Sequence, residues 1–211
     1  MKFFEDFSKI KPTSVTFIVA LILLSFLFYY FAVKKDKKSF TPKTLVYASI
    51  CIAMSFVLSY IKLYHWPQGG SITLASMLPL MIFSYIFGTS RGIMAGVVYS
   101  ILQLIQDMYV VHWAQLLFDY PFAFAAIGLA GFAKNNLSLA VLIGGFGRFF
   151  FHFISGAIFF GSYAPEGQGA FLYSFIVNGL IIGTDTLICF LVTLLPPFKS
   201  AVNDLKLKIT N

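Results

Sequence analysis

Apolar runs of about twenty residues alternate with short polar connections along almost the whole chain. A bilayer core takes about 20 apolar residues per helix. On that measure the pattern predicts helices over about 13–33, 42–63, 71–90, 92–108, 113–133, 136–161 and 170–197. No long polar segment interrupts the series after residue 38, so 39–211 reads as one membrane domain. Residues 1–38 read as a separate anchor helix followed by the basic linker "KKDKK". The first apolar run is too long for a signal peptide and is followed by lysines rather than a small-residue cleavage site, which marks an uncleaved anchor.

Composition and charge sharpen this picture. The chain is 59% hydrophobic and 11% charged, against about 25% charged in a soluble domain. Its net charge of +7 sits in the connections between spans and does not interleave with aromatics, so no nucleic-acid partner is expected. Cys51 and Cys189 lie in separate spans without metal-ligand or disulfide spacing. Lys34, Lys35, Lys37, Lys38, Lys43, Arg91, Lys134, Lys199, Lys206 and Lys208 fall on one side of the predicted helices, and Lys2, Lys9, Lys11 and Lys62 on the other. Basic residues mark the cytoplasmic side. The N-terminus is therefore expected outside and the C-terminus inside a plasma membrane crossed many times. The loops around "YHWPQGGS", "QDMYVVHW" and "GSYAPEGQGA" then lie on the outer face.

Away from the span ends, four ionisable residues stand out at membrane depth: Asp119, Arg148, His152 and Asp185. Each costs about 2.5–3.5 kcal/mol at membrane depth and so needs a partner or a cavity. Arg148 and His152 are four apart and share a helix face, as do Asn178 and Asp185 at seven apart. Arg148 and Asp185 are expected to form a structural ion pair. His152, Tyr173 and Asn178 lie nearer the outer end, where either an interhelical hydrogen bond or a binding site accounts for them.

Aromatic residues crowd that end, among them Trp66, Tyr109, Trp113, Tyr120, Phe160 and Tyr173. An interfacial belt explains the rings, but not the carboxylate of Asp119 in "LLFDYPFAF", where Pro121 loosens the helix. A carboxylate beside aromatic faces suits an organic cation, each ring adding about 0.5–2 kcal/mol. No phosphate-binding glycine loop, H-E-x-x-H motif or nucleophile with a spaced histidine and acid occurs, so catalysis has little support. Small residues recur four apart at Ser49 and Ala53, Gly92 and Gly96, and Gly179 and Gly183, a spacing that permits close helix contact, usually inside a bundle.

The segments "WPQGGSITLASMLPL", "HWAQLLFDYPFAFAAIGLAG" and "RFFFHFISGAIFFGSYAPEGQGAFLYSFIVNG" occur in this order between apolar helices. Together they resemble the thiamine-specific substrate-binding subunit of energy-coupling-factor vitamin transporters, over about residues 43–198. The resemblance implies an all-α, six-helix membrane bundle, here preceded by an extra N-terminal helix, with no enzymatic activity and no cofactor of its own. It implies a ligand, thiamine, near the outer face, and partners comprising a coupling transmembrane protein and two ATPases. Carried over, the pocket residues are Tyr109, Asp119, Tyr120, His152, Phe160, Tyr173 and Asn178, with Trp66, Gly69 and Gly70 in a loop that closes over them. Asp119, Tyr173 and Asn178 would address the aminopyrimidine, and His152 and Phe160 the thiazolium. The helix carrying Ser49 and Ala53 would dock the coupling protein. Some members carry Glu at the position of Asp119 and Trp at that of Phe160. Competing expectations are a subunit for another vitamin, or a membrane enzyme using Asp119 and His152 as acid and base.

Overall fold

The computed structural model describes residues 40–66 and 69–210. The anchor helix expected over 13–33, and the domain boundary at 38, lie outside them. Helix α1 (Pro42–Ser59) starts where Thr41 accepts a hydrogen bond from the Thr44 N–H at 3.2 Å and Pro42 takes the first turn, in which its missing N–H costs nothing. After α1 come two short strands, β1 (Lys62–His65) and β2 (Ser71–Thr73), then α2 (Leu78–Phe87) and α3 (Thr89–Gln106). Next is a continuous helical segment, 113–132, made of α4 (Trp113–Leu117), a π-helical turn (Phe118–Phe122), α5 (Ala123–Ala126) and a 3-10 stretch (Ile127–Phe132). Helix α6 (Leu137–Phe159) follows, capped by the Asn136 side chain. The chain then runs through α7 (Ala170–Asn178), a second π-helical turn (Gly179–Gly183) and α8 (Thr184–Leu194), and ends in α9 (Pro196–Thr210).

Among the described residues, four helical segments are long and apolar enough to cross a membrane: Pro42–Ser59, Trp113–Phe132, Leu137–Phe159 and Ala170–Leu194. With α2 and α3 they make the expected six-helix bundle. Its core surrounds α2, whose Leu80, Met81 and Phe83 are buried along with Met77 just before it. Helix α2 is accordingly short and needs no lipid-facing stripe.

Four expectations require correction. The span expected over 71–90 is a strand first and a helix only from Leu78, and the one expected over 42–63 ends at Ser59. The residues released at both ends pair antiparallel, with Lys62 opposite Thr73 and His65 opposite Ser71. Hydropathy missed this hairpin because strands of four and three residues are too short to stand out against apolar runs of twenty; Gly69 and Gly70, both at positive φ, mark the turn. The span expected to run to 197 ends at Leu194, and α9 is a separate helix against α2, where Lys206 lies over the Tyr85 ring and donates to the Lys134 carbonyl. Gly179 and Gly183 do not pack internally, since a Cβ on either would meet no heavy atom within 4 Å.

Gly92 and Gly96 do mark an internal contact. Helix α3 lies backbone against backbone on the 123–132 segment, so that a Cβ on Gly96 would stand 2.2 Å from the Phe124 carbonyl oxygen and one on Gly128 2.3 Å from the Ile93 nitrogen. Overpacking costs about 1–3 kcal/mol where neighbours can shift, and here the neighbours are backbone. Gly128→Ala is expected to lower the thermal unfolding midpoint in detergent by several degrees, whereas Gly179→Ala leaves it unchanged. Equal midpoints for the two variants would show that the contact is looser than described.

Candidate ligand-binding site

Between the hairpin and the helix ends next to it lies a cavity of about 160 Å³. All seven pocket residues expected from the sequence line it, as do Trp66, Gly69 and Gly70. The fold brings them together by two irregularities. Asp119 and Tyr120 sit on the first π-helical turn, opened by Pro121, and the second π-helical turn separates Asn178 from Asp185. Such turns insert a residue into the helical ladder and re-aim the side chains around them.

Asp119 is clamped on both oxygens. Its Oδ1 lies 3.1 Å from His152 Nδ1, and its Oδ2 accepts from Gln115 Nε2 at 2.6 Å. A carboxylate only accepts, so the His152 proton belongs on Nδ1. That leaves Nε2, which is buried without a partner. Buried polar atoms in native structures are nearly always satisfied, and one on the wall of a polar cavity marks where a ligand donor belongs.

Gln115 is itself locked: its Oε1 accepts from the Val111 N–H at 3.1 Å and its Nε2 also donates to the Tyr109 carbonyl at 3.1 Å. Tyr120 works similarly, donating to the Asp107 carbonyl and accepting from the Tyr109 N–H, both at 2.9 Å. The loop after α3 is thus fixed to the first π-helical turn. Gln115 escaped the sequence reading, although its place four residues before Asp119 put it on the same helix face.

The aromatic wall is formed by Tyr109 and Phe160, near-parallel with centroids 6.0 Å apart, and by Trp66 from the hairpin. Gly69 lies against the Tyr109 ring, where a Cβ would come within 3.2 Å of Cγ. A hydrogen bond with Tyr163, and then burial, hold the Tyr109 phenol above the usual tyrosine range, so it stays neutral at physiological pH.

On the far side, Asn178 Nδ2 donates to the His152 carbonyl at 3.2 Å and to the Ser174 carbonyl at 3.1 Å. Its Oδ1 is the amide atom left for a ligand. Gly156 permits this approach of α7 to α6, because a Cβ there would stand 2.3 Å from Ser174 Oγ. Arg148 Nη1 donates to Asp185 Oδ2 at 3.4 Å, and its guanidinium lies 4.8 Å from the centre of the Phe124 ring. Both residues of this pair line the cavity. Asp185 also accepts from Thr73, a partner 112 residues away that no local pattern reveals.

The arrangement suits a flat, cationic heteroaromatic: one carboxylate with fixed donors behind it, an unfilled imidazole nitrogen, an amide oxygen and rings on the hairpin side. Among the described residues no cluster of His, Cys, Asp or Glu could hold a metal ion.

Fold and cavity together define an integral membrane protein built to hold a small ligand in a helical bundle. The family model described as "Thiamine transporter protein" matches residues 45–203, and the chain belongs to that family. The thiamine transporter ThiT of Bacillus subtilis is 33% identical over 167 residues, covering 70% of this chain and 86% of that protein. ThiT of Lacticaseibacillus paracasei is 32% identical over 152 residues, 62% of this chain and 75% of its own length. A solved structure of ThiT from Listeria monocytogenes superposes with a TM-score of 0.65 at 24% identity, covering 74% of this chain and 96% of that one, and shares the fold.

Proposed function

We propose that this protein binds thiamine in the cavity at the outer face and delivers it to an ATP-driven energy-coupling module, one transmembrane protein and two ATPases, for import. The observation that carries the reading is the Asp119 carboxylate, held between His152 and Gln115 at the foot of an aromatic wall. It offers an acceptor to the aminopyrimidine and an anion to the thiazolium in a low-dielectric site. Asn178 Oδ1 and the Tyr173 hydroxyl complete the polar contacts on the pyrimidine, and Phe160 lies against the thiazolium. Charge supports an orientation with the cavity outside and the C-terminus in the cytoplasm: Lys43 begins α1 and Lys134 precedes α6, each at the end of its helix away from the cavity-lining residues, and Lys206 reaches the Lys134 carbonyl. ATP hydrolysis belongs to the partner subunits.

Titration calorimetry of the purified chain tests this. Stoichiometric, tight binding of thiamine is expected, with the ligand recovered unchanged by mass spectrometry. Absence of heat with thiamine alongside binding of another vitamin would sink the assignment, and recovery of a cleaved ligand would turn Asp119 and His152 into an acid–base pair.

A further inference from the structure

The hairpin of β1 and β2 roofs the cavity and is tied to the bundle at its base on both sides. Lys62 and Thr73 face each other across the hairpin. Lys62 Nζ reaches Asp107 Oδ2, just beyond α3, at 2.5 Å. Thr73 reaches the opposite side: its N–H and its hydroxyl both approach Asp185 Oδ1, at 3.3 and 2.9 Å. The Thr73 hydroxyl also lies 2.7 Å from Ser76 Oγ. A hydroxyl has one proton, and a carboxylate only accepts, so Thr73 donates to Asp185 and accepts from Ser76. Nearer the tip, Gly70 rests on the second π-helical turn, where a Cβ would meet Ile181 Cδ1 at 3.3 Å.

The two ties are unequal. The side chains of Lys62 and Asp107 are 32% and 47% exposed, and exposed pairs contribute little and weaken with salt. Asp185 is 1% exposed and is held from behind by Arg148. Hydrogen bonds to a buried charged acceptor are stronger and are not replaced by water unless the site opens.

We propose that the Thr73–Asp185 contact, and not the Lys62–Asp107 pair, is the latch that keeps the hairpin closed, and that Asp185 is therefore a positioning residue that sets how long a ligand stays. The statement about residence rests on the thiamine reading; the statement about the hairpin does not. Replacing Asp185 itself would strand Arg148 in the bundle, so the test uses Thr73→Val, which removes the hydroxyl donor at nearly constant shape, with Thr73→Ser as rescue and Lys62→Ala as comparison.

Two readouts separate the claims. In ligand-free protein, hydrogen exchange of the amides at 62–65 and 71–73 should speed up about tenfold in Thr73→Val, with exchange in α6 unchanged. Thr73→Ser should match the parent, and Lys62→Ala should show a smaller change that disappears at high salt. By stopped-flow fluorescence, thiamine dissociation should accelerate about tenfold in Thr73→Val while association stays within about threefold. Parent-like hairpin exchange in Thr73→Val, or an equal effect of Lys62→Ala at high salt, overturns the latch. Faster exchange with unchanged dissociation overturns the residence claim. A parent chain that binds no thiamine removes the function proposed above and leaves the exchange result to decide the latch.

Discussion

Asp119→Asn is expected to weaken thiamine binding by about ten- to a hundredfold, the worth of about 1.5–3 kcal/mol for a hydrogen bond to a charged group. The geometry gives a reason beyond lost charge. Asp119 accepts from His152 on one oxygen and from Gln115 on the other, whereas an asparagine that keeps its oxygen toward Gln115 turns an N–H toward His152 Nδ1, which can accept only if the imidazole proton moves to Nε2. Gln115 cannot turn its amide to relieve this without giving up its bonds to the Val111 N–H and the Tyr109 carbonyl. The tautomer change would therefore turn His152 Nε2, which faces the cavity as an acceptor, into a donor. Asp119→Glu retains the acceptor pair and should bind far better than Asn. Calorimetry decides it: an Asn variant with the parent's affinity would take the carboxylate out of the site.

Ala53→Trp is expected to abolish thiamine uptake by the assembled transporter while leaving binding by the isolated chain intact. Helix α1 turns Thr44, Ala48, Ser55 and Ser59 inward, and leaves Ser49 and Ala53 exposed beside Val46, Ile50 and Val57. Ser49 satisfies its own hydroxyl on the Leu45 carbonyl at 3.0 Å, so the face presents small, apolar contours that let another helix approach closely. An indole at position 53 would project outward, where it disturbs nothing within the bundle but holds a partner backbone away. Uptake is measured in vesicles carrying the coupling module, and binding in detergent. Equal loss of both activities would mean that this face serves the bundle itself; retained uptake would mean that docking lies elsewhere.

The sequence by itself determined the membrane class, the positions of most helices within a few residues and several of the polar residues that line the cavity. These features rest on local quantities. Twenty apolar residues span a bilayer whatever surrounds them, and Asp119, His152 and Asn178 are conspicuous because polar groups are costly at that depth. Tertiary structure alone decided what those groups do to one another. The pairing of β1 with β2 was invisible because strands of four and three residues carry too short a pattern to separate from the helices on either side. The open surroundings of Gly179 and Gly183, where an added Cβ would meet nothing within 4 Å, depend on how the neighbouring helices pack, which a four-residue spacing cannot reveal. The grip of Gln115 on Asp119 had a faint local signal in its four-residue spacing. The grip of Asp185 on Thr73 had none, since it joins residues 112 apart; a hydrogen bond depends on distance and angle in space, and the order of residues along a chain constrains these only within a few turns of one helix.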